Sequence, residues 1–417
     1  MPRRAAVAFI LLTVLLDVVA MGLIIPVLPA MVVQFMAGDT PAAAAIYGIF
    51  GIAWAAMQFL FSPLAGALSD RFGRRPVVLI SNFGLGLSYV LMALAPNLVW
   101  LFVGRIIAGI TASSISAATA YIADVVTPEK RASSFGLIGV AFGLGFVLGP
   151  ALGGVLGAVD LRLPFWTAAG LSFANAVYGL FVLPESLTPE RRQSFLWRRA
   201  NPVGSLILLR CHPELSGLSM VHFLYTLAHN VFPSVFVLYA VYRYGWEERT
   251  TGLVIAAYGL ASILVQGFLV KPFVARFGER MAIMTGLCCA VLGFVMYGAA
   301  SSGAMLWIAI PVMALCGLYG PASQGLMSHR VSPSEQGQLQ GALSSIMGIT
   351  GMVGPGVFTL TFAHFISPER SDSAYTPGAP FLVAAGLVVI AGILAWRVTR
   401  PATLDAAISP ATPPLNT

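Results

Sequence analysis

The chain has 417 residues, of which 58% are apolar and only 9% are charged, and its mean hydropathy is +0.86. A soluble domain carries about 25% charged residues. The composition therefore excludes a water-soluble enzyme and, despite a net charge of +7, a nucleic-acid-binding protein. Because a membrane-spanning helix needs about 20 apolar residues, a chain of this length accommodates roughly a dozen such helices. We expect an all-α polytopic membrane protein that is not an enzyme.

Twelve apolar runs follow one another along the chain, and each is long enough to cross a bilayer as a helix. They cover residues 6–33, 44–67, 77–95, 98–123, 132–157, 163–183, 215–241, 251–270, 281–300, 304–326, 338–365 and 379–397. The longest polar segment separates the sixth run from the seventh. The pattern predicts an N-terminal six-helix bundle over 1–183, a central basic loop over 184–212, a C-terminal six-helix bundle over 213–400 and a disordered cytoplasmic tail over 401–417.

The basic residues predict the orientation of these spans. Of the 23 lysines and arginines, 18 lie in segments that would share one side of the membrane with the N-terminus. Lysine and arginine accumulate in cytoplasmic loops. We therefore expect a multi-pass protein of the cytoplasmic (inner) membrane with both termini in the cytoplasm, whose positive charge reflects topology and needs no nucleic-acid partner.

Metal, cofactor and nucleotide sites are not predicted. None of the four cysteines has the spacing of metal ligands, and the phosphate-binding sequence G-x4-G-K-[ST] does not occur. We expect no metal, no cofactor and no ATP, and a monomer that works with protons and a small-molecule substrate.

An internal repeat divides the chain. Residues 71–73 (Arg-Phe-Gly) recur as 276–278, and residues 149–150 (Gly-Pro) recur as 354–355, both at an offset of 205 residues. The offset is about half the chain. It predicts twelve transmembrane helices in two pseudo-symmetric six-helix halves of parallel topology, an architecture found in secondary transporters.

A charged loop between the second and third spans is a candidate gating motif. Its glycines suit a tight turn, and its Asp–Arg pairs suit charge-assisted bonds across a moving seam. The simpler alternative is an anchor that only places positive charge on the cytoplasmic side. The motif consists of Gly66, Asp70, Arg71, Gly73, Arg74 and Arg75.

The fifth span carries small residues in the spacing G-x8-G-x3-G-P-x2-G-G. Small residues allow helices to approach closely, and a Gly-Pro pair permits a kink. The alternative is close packing without a role in transport. The residues concerned are Gly136, Gly145, Gly149, Pro150, Gly153 and Gly154.

These motifs together resemble the major facilitator superfamily, whose hallmark loop is similar to residues 66–75 and whose antiporter motif is similar to the glycines of the fifth span. Within it, residues 16–17, 22–29, 69–76 and 337–341 resemble the tetracycline–proton antiporters. The resemblance implies the major facilitator fold, proton-coupled drug efflux, and a latch between Asp124 and Arg71 or Arg74.

The chain differs from that family at three positions within the predicted spans. This chain has Ser88, Ser262 and Ala290 where the family carries ionisable residues linked to tetracycline recognition or proton coupling. The family's coupling scheme therefore does not transfer whole. Tetracycline is one candidate substrate among other amphiphilic molecules.

The two charged residues deep inside predicted spans are the candidate coupling residues. Asp17 is the one such acid and Arg105 the one such base. A charge in lipid costs about 2.5–3.5 kcal/mol, so each should face a cavity or a partner. We predict proton coupling through both, with Arg105 bound either to Asp17 or to helix carbonyls. The alternative is a purely structural role for each charge.

Polar residues elsewhere in the spans are candidates for the lining of a substrate cavity. His222 and His229 could also titrate near neutral pH, whereas packing alone is the alternative role for the seventh-span group. The candidates are Gln58, Ser88, His222, Tyr225, His229, Asn230 and Gln266.

The sequence thus favours a proton-coupled exporter of an amphiphilic small molecule that works by alternating access. A proton-coupled uptake symporter with the same fold is the first alternative. A membrane receptor or assembly factor that has lost transport is the second, although it would leave Asp17 and Arg105 unexplained.

Overall fold

The computed structural model describes residues 3–112, 114–126, 128–187, 192, 213–331, 336–367 and 376–399. These residues form helices joined by short loops. The helices are α1 Arg3–Leu23, α2 Leu28–Phe35, α3 Thr40–Phe72, α4 Arg74–Ala93, α5 Leu98–Thr111, α6 Ser114–Val125, α7 Pro128–Gly157, α8 Leu163–Val182, α9 Pro213–His229, α10 Val231–Tyr244, α11 Glu248–Leu264, α12 Val270–Ala299, α13 Gly303–Ala314, α14 Tyr319–Ser328, α15 Gln336–Phe365 and α16 Ala379–Val398.

The helices assemble into the twelve predicted spans. Within the described ranges, 10 segments are long and apolar enough to cross a membrane, and the shorter apolar helix Leu98–Thr111 adds one more. The longest segment, Glu248–Ala299, bends at Gly278 and therefore provides two spans. The prediction of an all-α, multi-pass membrane protein is confirmed. The central loop 184–212 lies mostly, and the tail 401–417 entirely, outside the described residues.

Polar side chains define where several helices begin and end. Asp39 accepts a 3.0 Å hydrogen bond from the Ala42 amide at the start of α3, and Asn97 caps the first turn of α5 in the same way. Such caps satisfy amides that have no partner inside the helix. At the end of α4, the Arg162 guanidinium donates to the carbonyls of Ala93 and Ala95.

The internal repeat is visible in the backbone. Gly73, between α3 and α4, has φ 109° and ψ 162°, and Gly278, 205 residues later, has φ 80° and ψ 165°. A residue with a Cβ rarely adopts these angles, whereas glycine does so readily. The same glycine therefore makes the same sharp bend in each half, as the repeat predicts.

Four spans predicted as continuous runs are interrupted, in pairs related by the repeat. The first breaks between Leu23 and Leu28 and the seventh at Asn230, while the fourth breaks near Ala112 and the tenth in a 3₁₀ turn over Leu315–Leu318. In the first span the break contains Pro26, which has no amide hydrogen to continue the helix. The repeat thus preserves interruptions as well as helices.

The two halves meet along two seams, α3 against α15 and α7 against α11. Both seams lie toward the end of the molecule opposite residues 66–75, which we call the far end; the other is the loop end. A Cβ on Gly51 of α3 would lie 2.9 Å from Pro355 of α15, whereas Gly139 and Gly267, nearer the loop end, have nothing within 4 Å. Close glycine contacts between the halves are therefore found from the far end to Gly143 and Gly348, and none is found at Gly139 or Gly267.

Candidate functional site

The Asp17 carboxylate is buried inside the N-terminal half, between α1, α4 and α8. Its side chain is among buried residues, and Asn175 of α8 donates from Nδ2 to Oδ1 over 2.9 Å. With its amide oriented to donate, Asn82 of α4 places Nδ2 3.0 and 3.1 Å from the two carboxylate oxygens. The partners of the buried acid therefore include two asparagines that sequence reasoning did not single out.

Further buried polar atoms surround this acid. Thr13 Oγ1, Ser172 Oγ and Asn175 Oδ1 are buried and have no hydrogen-bond partner among the described residues. A buried polar group without a partner costs about 1–3 kcal/mol. Asp17 thus lies in a polar pocket within the N-terminal half, and it is not one of the residues lining the central cavity.

Arg105 occupies a different environment from Asp17. Its guanidinium carbon lies 5.1 Å from the ring centroid of Trp54 on α3, and the side chain lines the central cavity. Tyr89 of α4 is close enough to both Asp17 and Arg105 to sense both charges. Tyr89 therefore lies near both coupling candidates, while Asp17 contacts two asparagines and Arg105 lies over Trp54.

The central cavity lies between the halves and has a volume of about 390 Å³. Its wall is mostly aromatic and aliphatic, with a few polar groups, which is the usual character of a small-molecule site. Arg105 comes from the N-terminal half, and His229, Asn230 and Ser234 come from the C-terminal half around the break in the seventh span.

Some of the seven cavity candidates line the cavity and others do not. His229 and Asn230 line the cavity. Ser88 does not, because it is fully buried and its hydroxyl donates to Leu85 O over 2.7 Å. Gln58, on α3, and Gln266, an exposed residue in a short π-helical turn after α11, are also outside the cavity wall.

His222 and Tyr225 belong to an aromatic cluster of the C-terminal half, behind the cavity wall. Tyr225 packs on Tyr319 with ring centroids 3.9 Å apart, and its hydroxyl donates to Cys316 O over 3.2 Å. His222 also packs on Tyr319, with ring centroids 6.2 Å apart. The cluster reaches the cavity through His229, whose Nε2 is 3.4 Å from Cys316 Sγ.

The charged loop forms a network that Arg74 organises. The Arg74 guanidinium binds Asp70 over 2.6 Å, Asp124 over 2.9 Å and Ser69 Oγ over 3.2 Å. Of the two arginines expected to bind Asp124, Arg74 is the one in contact, whereas Arg71 is exposed. These contacts join α3, α4 and α6 of one half, so they do not cross the seam between halves as the sequence suggested.

Glu185 completes this network, and sequence reasoning missed it. Its carboxylate accepts the backbone amides of Arg74 over 2.8 Å and of Arg75 over 3.2 Å, and it lies against Gly73, where a Cβ would collide with it. A carboxylate at the first amides of a helix is favoured by unpaired N–H groups and by the helix dipole. The Arg75 side chain, in turn, donates to Leu180 O.

The two glycines of the loop motif have different roles. Gly73 has positive φ and makes the turn, whereas Gly66 lies inside α3 with nothing within 4 Å of a Cβ position. The expected turn at Gly66 is wrong, because α3 continues to Phe72.

The C-terminal half contains a charge-reversed copy of the Arg74–Asp124 pair. At the same offset of 205 residues stand Glu279 and His329, with Oε1 and Nε2 3.8 Å apart. The position of each partner is thus kept by the repeat, and the acidic and basic side chains exchange places.

The glycines of α7 serve two interfaces at once. A Cβ on Gly145 would lie 2.7 Å from Val18, and one on Gly149 would lie 2.6 Å from Gly22 Cα, so this stripe packs on α1. Gly154 and Pro150 instead approach α11, where a Cβ on Gly252 would collide with Pro150 O. Gly153 faces the Leu23 carbonyl on α1, and the surroundings of Gly136 lie outside the described residues.

Comparisons with known proteins agree with this geometry. The sequence profile of the Major Facilitator Superfamily matches residues 10–247 and 218–413. The chain belongs to the major facilitator superfamily. It is 39% identical to the class C tetracycline resistance protein of Escherichia coli over 94% of this chain and 96% of that protein. The relatives and the family are transporters, and the chain is accordingly not an enzyme.

Two solved structures show the same fold. The human organic anion transporter MFSD10 (TETRAN) has a TM-score of 0.70 and 25% identity, with 95% of this chain and 100% of that chain covered. A bacterial homologue of the human lysosomal transporter Spinster, in an inward-facing and occupied conformation, has a TM-score of 0.76 and 17% identity, with 99% of this chain and 100% of that chain covered.

Proposed function

We propose that the chain exports an amphiphilic small molecule in exchange for protons, by alternating access between its two halves. The packing of α7 is the observation that carries this proposal. One stripe of α7 packs on α1, which holds Asp17, and another packs on α11 of the opposite half. A change at the buried acid therefore acts through α1 on a helix that forms the seam between the halves.

Protonation of Asp17 is the coupling step in this proposal. The ionised carboxylate is stabilised by amide donors of Asn82 and Asn175, and a neutral carboxyl needs fewer of them. Uptake of a proton loosens the contact of α1 with α4 and α8 and removes a negative charge near Tyr89 and Arg105. Asp17 and Arg105 thus act through the tyrosine that lies near both.

In this proposal the charged loop holds the helices of the N-terminal half together. Arg74 and Glu185 tie α3, α4, α6 and the segment after α8 into one body, which then rocks as a unit. The basic residues favour the cytoplasm for both termini and for the loop end. The cavity of this conformation then faces the cytoplasm, where an exporter loads its substrate.

Relatives support export and leave the substrate to experiment. The likeness to the class C tetracycline resistance protein supports efflux of a drug-like molecule. We propose that this chain works in the cytoplasmic membrane, as a monomer that uses neither ATP nor a cofactor. Tetracycline itself is a candidate substrate. Ser88, Ser262 and Ala290 argue against it, because they replace ionisable residues of the tetracycline–proton antiporters.

Everted membrane vesicles from a host that lacks its own drug exporters test this function. After respiration acidifies the vesicle lumen, addition of a transported drug should release protons, measured as recovery of quenched acridine orange fluorescence. The drug should accumulate in the vesicles, and Asp17→Asn should abolish both signals. Substrate flow in the opposite direction would favour an uptake symporter, and no substrate-dependent proton flux with a broad drug panel would favour a receptor.

A further inference from the structure

The central cavity contains a positive charge and no acidic side chain in its described wall. Arg105 is the charged residue that lines it, while Asp17 lies behind the wall, bound to Asn175. The residues around the cavity are otherwise neutral, with His229 as the one other titratable nitrogen base among the lining residues described. The charge that the described wall presents to a ligand is therefore that of a guanidinium.

The Nε of Arg105 lacks the partner that a buried N–H normally has. It is buried and has no hydrogen-bond partner among the described residues, while the guanidinium lies over the face of Trp54 and near the neutral side chains of Tyr47 and Tyr89. Contact with an aromatic face stabilises a cation by about 0.5–2 kcal/mol. Breaking or omitting the partner of a buried charge costs about 3–5 kcal/mol. The site is incomplete without an anion.

The walls around Arg105 define the rest of a ligand. Trp54 and Tyr47 of α3 lie on the same side as the guanidinium, and Phe232 and Tyr258 face them from the C-terminal half. Ser234 Oγ is buried there without a partner among the described residues. Flat aromatic walls with a few polar groups suit a planar, largely apolar body with one or two polar substituents.

We propose that this cavity binds an amphiphilic organic anion, whose carboxylate or other planar acid group pairs with Arg105 and whose aromatic body packs between Trp54 and Phe232. A guanidinium offers paired N–H donors that match a carboxylate in two-point contact. This inference rests on the proposed function and deepens it by naming the substrate class. A lipophilic cation finds no acid in the described wall and meets like charge at Arg105.

Equilibrium binding with three matched probes tests the charge preference. The probes 1-pyrenebutyrate, 1-pyrenebutanol and 1-pyrenebutylammonium share a ring and tail and differ in charge, and binding to purified protein in nanodiscs is read by fluorescence anisotropy, with empty nanodiscs subtracted. We expect the anion to bind the wild type at least about tenfold more tightly than the cation, a difference of about 1.4 kcal/mol. Arg105→Gln should remove that difference, and Arg397→Gln, an exposed arginine on α16, should keep it.

Asn230→Asp provides a second variant in case Arg105→Gln does not fold. It places an acid of nearly the same shape in the cavity wall, and it should weaken anion binding and strengthen cation binding by about tenfold each. Equal binding of anion and cation by the wild type, or an anion affinity unchanged in both variants, would overturn the inference. Charge-selective binding without proton-driven transport in vesicles would reject the proposed exporter alone, and transport without charge-selective binding would reject this inference alone.

Discussion

Asn175 of α8 reaches across the N-terminal half and donates its amide to Asp17 of α1 over 2.9 Å, and the same amide nitrogen lies 3.1 Å from Thr13 O. One side chain therefore holds both the acid and the backbone one turn before it. Because this contact joins α8 to α1, a change in the protonation state of Asp17 should alter the packing of these helices as well as the local charge.

Asp17→Asn should abolish substrate-dependent proton release in everted vesicles while the protein stays folded, because the amide keeps the shape of the side chain and loses the titrating group. The thermal unfolding midpoint of the purified variant provides the check on folding. Asp39→Asn is the matched control, since Asp39 caps α3 at an exposed end and asparagine caps a helix equally well. Full uphill transport by Asp17→Asn would contradict the proposed coupling.

The Arg74 network should show strong energetic coupling. Arg74→Gln and Asp124→Asn each break the same 2.9 Å bond, so the double variant should be destabilised by less than the sum of the singles, with a coupling energy of about 0.5–3 kcal/mol. Thermal unfolding of the four proteins of the cycle measures it. Additive effects would show that the pair contributes nothing beyond its separate contacts.

Asp70→Asn should slow transport with little effect on insertion into the membrane, because Asp70 lies at the exposed edge of the network and bonds Arg74 over 2.6 Å. Drug flux per molecule of protein in the membrane fraction is the relevant measurement. A normal flux would show that this contact of the loop is not needed for transport.

The glycines of α7 offer a paired test on one helix. A Cβ on Gly149 would lie 2.6 Å from Gly22 Cα, whereas one on Gly139 would meet nothing within 4 Å. Gly149→Ala should therefore lower stability by about 1–3 kcal/mol and reduce transport, and Gly139→Ala should do neither. The comparison rests on the unfolding midpoint and on flux, and equal behaviour of the two variants would show that contact with α1 is unimportant.

Tetracycline tolerance is expected to rise little when the chain is expressed in a sensitive host. Ala290 is buried inside α12 and supplies no charge, and Ser88 is bound to its own helix. A growth assay across tetracycline concentrations, with the class C tetracycline resistance protein as positive control, measures the effect. A large rise in tolerance would show that tetracycline recognition does not need those charges.

Much of the fold was predictable because two signals can be read directly from the sequence. Length of apolar runs predicts spans, and the shared offset of 205 residues predicts the bends at Gly73 and Gly278. The interruptions of the spans were less visible. Pro26 lies in the break of the first span and Pro233 follows the break of the seventh, but the residues around the break near Ala112 contain no proline.

The site was less predictable because polar residues in a span look alike until their direction is known. Asp17 stood out by its charge, whereas its partners Asn82 and Asn175 are ordinary amides in spans, and only packing brings them together. Glu185 resembled any acid at the end of a span. A rotation of a helix by one residue decides whether a side chain such as Ser88 faces a cavity or its own bundle.

The reversed pair leaves the two halves tied with different strength at the loop end. The Arg74 guanidinium is largely buried and contacts two carboxylates, Asp70 over 2.6 Å and Asp124 over 2.9 Å. The corresponding contact between Glu279 and His329 is longer, at 3.8 Å, and its imidazole is exposed to solvent. Because ion pairs in solvent contribute little to stability, the repeat has kept a firm connection between helices in the N-terminal half and a weak one in the C-terminal half.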